Sequence, residues 1–190
     1  AKPEPKSQRN FTDPDSRIMK DGASKAFEQC YNAQAAVDST AQIIVAAAVT
    51  QQANDKRQLV PMMEKTVENT GRAPQAASAD AGYFSASALE DPSLAGINLL
   101  VPPERQKHSG LGEQGERRSQ ADSAANSMRE KLQEPSNREL YGQRKAVVEP
   151  VFGQTRKARG IRRFLLRGLD KADAEWSIIC LTPKLASQLP

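Results

Sequence analysis

The stretch Tyr31-Asn-Ala-Gln-Ala-Ala-Val-Asp-Ser-Thr-Ala-Gln-Ile-Ile-Val-Ala-Ala-Ala-Val-Thr50 decides the fold class. Tyr31–Asp38 reads as one strand and Gln42–Thr50 as a second, because Ile43, Ile44, Val45 and Val49 are β-branched and fit a pleated, half-buried surface. Ser39 and Thr40 supply the turn between them. A connection this short makes the pair a hairpin.

Downstream, Leu59, Met62, Met63 and Val67 recur at helical spacing, with Asp55 as the expected N-cap, Pro61 in the first turn and Gly71 at the end. Gln75–Asp80 reads as a short strand ending in an acid. A turn over Asp80–Ser85, a short helix to about Glu90 and a strand over Gly96–Val101 follow. Pro102-Pro103 closes that strand, and the next residues are polar and glycine-containing, as in a loop. Helical character returns at Ala124–Leu132 and breaks at Pro135. Asn137 is the expected cap of a helix that Pro150 bends, and Asp170–Leu181 forms a last helix burying Trp176, Ile179 and Cys180. Upstream, residues 1–30 are polar, with a turn at Asp13-Pro-Asp-Ser-Arg17. The order hairpin, helix, strand, short helix, strand, insertion, helices predicts an α/β or α+β architecture, with helices covering a mixed sheet. The parts are a polar segment 1–30, a core 31–103, an insertion or loop 104–135 and a helical part 136–190.

Composition narrows the chemistry. The chain carries 27 Lys and Arg against 23 Asp and Glu, a formal charge of +4 that weakly favours a polyanionic partner. It has two cysteines, outside any CxxC pair, and one histidine, His108. Clustered soft ligands for zinc are therefore missing, as is a second histidine for an acid/base relay. Any metal would be held by carboxylates, which suit hard ions such as Mg²⁺ or Mn²⁺. The longest apolar run, Ile43–Val49, is too short to span a bilayer, so no membrane partner is expected.

Five acids merit attention beyond the rest. Asp80 follows a short strand, where α/β sheets concentrate their ligand sites, and Gly82 frees the next turn; it could equally be a helix cap. Glu149 sits among Val147, Val148, Val151 and Phe152, as a buried ligand or on the polar face of a helix. Asp38 ends the first strand and is more simply a turn residue, as are Asp13 and Asp15. Near Glu149 lie Arg144 and Lys145. Beyond it Arg156, Lys157, Arg159, Arg162, Arg163 and Arg167 crowd twelve residues. Phe164, Leu165 and Leu166 are expected to anchor this cluster to the core. Such a patch gives phosphate affinity and register rather than sequence readout, unless it is only a solvated basic surface.

The strings TDPDSRIMK (12–20), YNAQAAVD (31–38), QIIVAAAVT (42–50), DKRQL (55–59), ADAGYF (79–84) and YGQRKAVVEPVFGQTRKARGIRRFLLRG (141–168) resemble the DDE transposases of the IS4/IS5 superfamily, most closely the IS1182 type. The resemblance implies a ribonuclease-H-like mixed sheet flanked by helices, with three carboxylates binding two Mg²⁺ (or Mn²⁺) ions. Asp80 matches the second catalytic Asp and Glu149 the catalytic Glu. Tyr141 and Arg144 match the Tyr and Arg of a phosphate-contacting signature. The signature's Lys position holds Arg156, followed by Lys157. Four residues rather than three separate Arg144 from Glu149.

The first Asp of the family lies on a strand upstream of the segment matching Thr12. The chain is therefore expected to be an N-terminally incomplete, C-terminal part of a bacterial transposase, a poor catalyst or inactive by itself. The implied activity is metal-dependent DNA cleavage and strand transfer. Asp80 and Glu149 would be the catalytic and metal-holding residues. Tyr141, Arg144, Arg156, Lys157, Arg159, Arg162 and Arg163 would contact DNA. Its partners would be double-stranded DNA at transposon ends and target, and a second copy in a synaptic complex, in the nucleoid-associated cytoplasm. Two other readings remain: a DNA-binding remnant without chemistry, and a basic structural or interaction protein.

Overall fold

In the computed structural model, residues 8–20, 25–104, 120–155, 160–161 and 163–186 are described. The first strands appear where the sequence suggested only a polar segment. β1 (Arg17–Lys20) pairs antiparallel with β2 (Phe27–Cys30), Arg17 opposite Cys30 and Lys20 opposite Phe27. Of these eight residues only Met19 is buried, so there is no alternation of apolar residues for a sequence reading to detect.

The deciding hairpin forms as expected. β3 (Asn32–Val37) runs antiparallel to β4 (Ile44–Thr50), with Asn32 opposite Thr50 and an irregularity between Ala36 and Val37. Successive residues point to opposite faces, and both faces are used. Ala33, Ala35, Ile44, Ala47 and Val49 pack against Trp176, Ile179 and Cys180 of α5 (Leu169–Ala186). Phe152 and Phe164 complete this cluster, the first stacked on Trp176 and the second edge-on to it. Gln34 and Ala46 are almost completely buried.

A second core gathers around α1 (Leu59–Thr70), whose Leu59 and Met63 meet Ala88, Leu94, Ile97, Leu99 and Val101. Gly71 ends this helix in the left-handed conformation, as its position predicted. The N-terminus differs from expectation. Gln58 occupies the cap position, and Asp55 gives its backbone carbonyl to the Gln58 N–H while its side chain is drawn elsewhere. β5 (Ala76–Ser78) lies parallel to β6 (Asn98–Leu100), with Ala77 opposite Leu99. The connection between them carries the short helix α2 (Ala86–Leu89).

α3 (Gln120–Gln133) and α4 (Pro135–Gly153) pack on one another. Pro135 sits in the first turn of α4, where its missing N–H costs nothing. Asn137 is therefore inside the helix rather than capping it. It is buried, donates to the Lys131 carbonyl and Glu134 Oε2, and accepts from the Asn98 amide. The helix continues through Pro150 to Gly153. The architecture is mixed α/β, with small antiparallel and parallel sheets flanked by helices, consistent with a ribonuclease-H-like arrangement. Among the described residues no helix is long and apolar enough to cross a membrane.

Candidate functional site

Asp80 lies two residues beyond β5, not at its last position. The Ala79 N–H still bonds to the Leu100 carbonyl, extending the parallel pairing, before the chain turns. Asp80 is extended and caps a single 3₁₀ turn over Ala81–Tyr83. Its Oδ1 accepts from the Gly82 N–H at 2.8 Å and its carbonyl from the Tyr83 N–H at 3.1 Å. The capping role is thus real. It occupies one carboxylate oxygen with one short bond, and the side chain stands at an exposed position beyond a parallel strand.

A second carboxylate meets this turn. A Cβ built on Gly82 would lie 2.9 Å from Asp80 Oδ1 and 3.2 Å from Asp55 Oδ2, so both acids border the space that glycine leaves open. Asp55 Oδ1 accepts from the side-chain amides of Asn32 and Gln34, each at 2.7 Å. Gln34 Oε1 in turn accepts from the Tyr83 hydroxyl, and Gln34 Nε2 also donates to Asn32 Oδ1 at 2.9 Å. Burial, reinforced by the charges of Asp55 and Asp80, pushes the Tyr83 hydroxyl well above the usual tyrosine range, so it remains a donor. Sequence reading missed Asp55 as a neighbour of Asp80, taking it for a helix cap. The only signal was that it opens the DKRQL string.

Glu149 lies on α4 at an exposed position, next to the buried Val151. Tyr141 and Arg144 share a face of that helix, three residues apart. The Arg144 guanidinium stands 5.4 Å from the Tyr141 ring centroid, a cation–π contact. Arg144 Nε is buried with no hydrogen-bond partner. At about 100° per residue, the four-residue gap turns Glu149 about 140° away from Arg144 around the helix. α4 lies against β5, the strand that leads to Asp80. Among the described residues no three His, Cys, Asp or Glu side chains come together as a metal-holding group. Asp80 and Asp55 nevertheless offer carboxylate oxygens, the donor type a hard divalent cation takes.

The other acids have structural roles. Asp38 Oδ2 accepts from the Thr40 and Ala41 N–H groups and closes the hairpin turn. Asp13, 9% exposed, accepts from the Tyr31 hydroxyl through both oxygens, at 2.7 and 2.8 Å, and through Oδ1 from the Gly168 N–H. Asp15 Oδ2 accepts from the Leu169 N–H. The two acids cap α5 from a distant turn, an N-terminal cap supplied across the fold.

In the basic segment Arg156, Lys157, Arg159 and Arg162 lie outside the described residues, while Arg163 and Arg167 are exposed. Of the three apolar residues expected to anchor it, only Phe164 does so, edge-on to both Tyr31 and Trp176. Leu165 is 79% exposed and Leu166 49%. The carboxylate of Glu175 clips this turn by accepting from the N–H groups of both leucines at 2.8–3.0 Å.

No curated protein and no solved structure matches the chain. The family described as Transposase DDE domain does, over residues 5–182, a span that takes in the hairpin, the Asp80 turn, α4 and most of α5. With nearly the whole described fold inside that match, the chain belongs to the DDE transposase domain family.

Proposed function

We propose that the chain is a catalytic-domain segment of a transposase of the IS4/IS5 superfamily, IS1182 type, and that it serves metal-dependent DNA cleavage and strand transfer. The observation that carries the reading is the position of Asp80, exposed at the start of a turn beyond a parallel strand, within a family match spanning residues 5–182. Asp80 and Glu149 would hold Mg²⁺ or Mn²⁺. The bound cation would supply Lewis-acid activation of water or of a 3′-hydroxyl and offset charge on the phosphate.

The remaining work falls to side chains of this chain. Arg144, braced by the Tyr141 ring, would meet a phosphate with its guanidinium, a reading supported by the match of both residues to the signature and by their contact on one face of α4. Arg163 and Arg167 extend the positive surface, and Arg156, Lys157, Arg159 and Arg162 add to its charge in sequence. Double-stranded DNA is the partner such a surface fits, with salt-sensitive binding. A second copy in a synaptic complex belongs to the same reading.

The test is nicking and strand transfer on supercoiled plasmid, with Mg²⁺ or Mn²⁺ against EDTA, beside Asp80→Asn and Glu149→Gln. Metal-dependent activity lost in both variants supports cleavage and strand transfer and overturns the expectation that the chain lacks its first carboxylate and is inactive by itself. DNA retention that weakens as salt rises, without nicking, supports DNA binding without chemistry. No DNA retention even at low salt overturns both and leaves a basic interaction protein.

A further inference from the structure

We propose that Gln34 and Asp55 are positioning residues for Asp80, a hydrogen-bonded pair that fixes the turn from which that carboxylate projects. The inference rests on the reading of Asp80 as a cation-holding residue and adds two residues to its machinery.

The geometry begins at Gln34, in the middle of β3 and 2% exposed. Its backbone carbonyl is held by the Trp176 indole at 2.8 Å, so the strand cannot shift without breaking a contact to α5. Its side-chain amide has one orientation that satisfies every neighbour. Nε2 donates to Asp55 Oδ1 and Asn32 Oδ1, and Oε1 receives the Tyr83 hydroxyl. A flipped amide would turn Oε1 toward the Asp55 carboxylate, two acceptors with no hydrogen between them. Asp55 therefore sets the amide, the amide sets Tyr83, and Tyr83 closes the 3₁₀ turn that Asp80 opens.

Asp55 also acts across the turn. With Oδ1 taken by two amides, its Oδ2 faces the Gly82 position, beside Asp80 Oδ1. Two carboxylates bordering the same small space repel one another, and each is tied down by N–H donors of its own: Asp55 by Asn32 and Gln34, Asp80 by Gly82. A side chain at residue 82 would enter this space. Glycine there keeps the two acids in place, although its backbone conformation is one any residue could adopt.

The experiment is Mn²⁺ binding by the full chain, read from the electron paramagnetic resonance signal of the free ion, in Asp80→Asn, Asp55→Asn, Gln34→Leu and Gly82→Ala. Circular dichroism and Trp176 fluorescence identify the folded variants. Asp80→Asn is expected to abolish retention. Asp55→Asn and Gln34→Leu are expected to weaken it about tenfold or more, with the fold kept. Gly82→Ala intrudes on the two carboxylates without removing a core group, so it reports on the pair should Gln34→Leu not fold.

A second readout separates positioning from mere stability. Urea unfolding of the same variants supplies it: a positioning role lowers the Mn²⁺ affinity of folded Asp55→Asn beyond any loss of unfolding free energy, whereas a merely structural role lowers stability and leaves the affinity of the folded protein unchanged. Loss in Asp80→Asn, with wild-type Mn²⁺ affinity in folded Asp55→Asn and Gly82→Ala, overturns this inference alone. No retention by the unsubstituted chain, or retention unchanged in Asp80→Asn, overturns the reading of Asp80 and this inference with it.

Discussion

The indole N–H of Trp176 donates to the backbone carbonyl of Gln34 across 142 residues of sequence, and joins α5 to the central hairpin by a buried bond. Trp176 is the single tryptophan of the chain, so its fluorescence reports directly on that junction. Trp176→Phe keeps an aromatic ring but leaves the Gln34 carbonyl without its donor. The expected loss is about 1–3 kcal/mol in urea unfolding. Trp176→Ala also empties the space beside Phe152 and Phe164, at about 3–5 kcal/mol. Equal stability of the Phe variant and the wild type would show that the bond contributes nothing net.

Asp13 and Tyr31 should behave as a coupled pair. Tyr31→Phe leaves Asp13 only its Gly168 contact among these partners, and Asp13→Ala leaves both the hydroxyl and that N–H without their acceptor. A double-mutant cycle on unfolding free energy is expected to give a coupling of about 1–3 kcal/mol. A cycle that closes to zero would show that the bridge is decorative.

Alkaline pH should unfold the protein earlier than its composition suggests. Burial, then the charge of Asp173, pushes the Cys180 thiol up to about 12 from 9.0. The unfolded chain therefore releases this proton first. The contribution is complete below pH 9 and is lost as pH rises through 9 toward 12, with a slope no steeper than about 1.4 kcal/mol per pH unit. Cys180→Ala should flatten that limb of the stability–pH curve. An unchanged limb would assign the loss to other groups, such as Tyr31, whose hydroxyl burial and Asp13 also push upward.

Glu175 should govern the ordering of the Leu165–Leu166 turn. In Glu175→Ala both leucine N–H groups lose their acceptors, and hydrogen exchange at these two amides is expected to rise at least about tenfold, with little change at Trp176. If DNA lies along Arg163 and Arg167, its affinity should fall in the same variant, because the arginines flank the loosened turn. Protection that survives the substitution would place the restraint elsewhere.

These contacts show what was legible in the sequence and what was not. The 31–50 hairpin, α1 with its glycine end and the burial of Trp176, Ile179 and Cys180 follow from periodicity and turn chemistry, which act over a few residues. The β1–β2 pair was invisible because only Met19 is buried there. Asp80 could be nominated from its place after a strand. Its companion Asp55 could not, since Asn32, Gln34 and Gly82 reach it from other parts of the chain. Asp55 looked like a cap because an acid just ahead of a helix usually is one. Leu165 and Leu166 misled in the opposite sense, because two leucines among arginines suggest an anchor, whereas the backbone clip holds them outward.

The caps that Asp13 and Asp15 place on α5 have a consequence for the order of events on the ribosome. The amides of Gly168 and Leu169 meet acceptors that left the exit tunnel 155 and 154 residues earlier. Until that helix emerges, the turn at 13–15 has no amide to receive and the apolar side of the hairpin has no cover. Closure of the hairpin is then set by the later-arriving of its two partners. A nascent chain stalled before Gly168 would hold its hairpin open to chaperones, and emergence of the helix beyond Gly168 would let cap and cover form in a single docking movement.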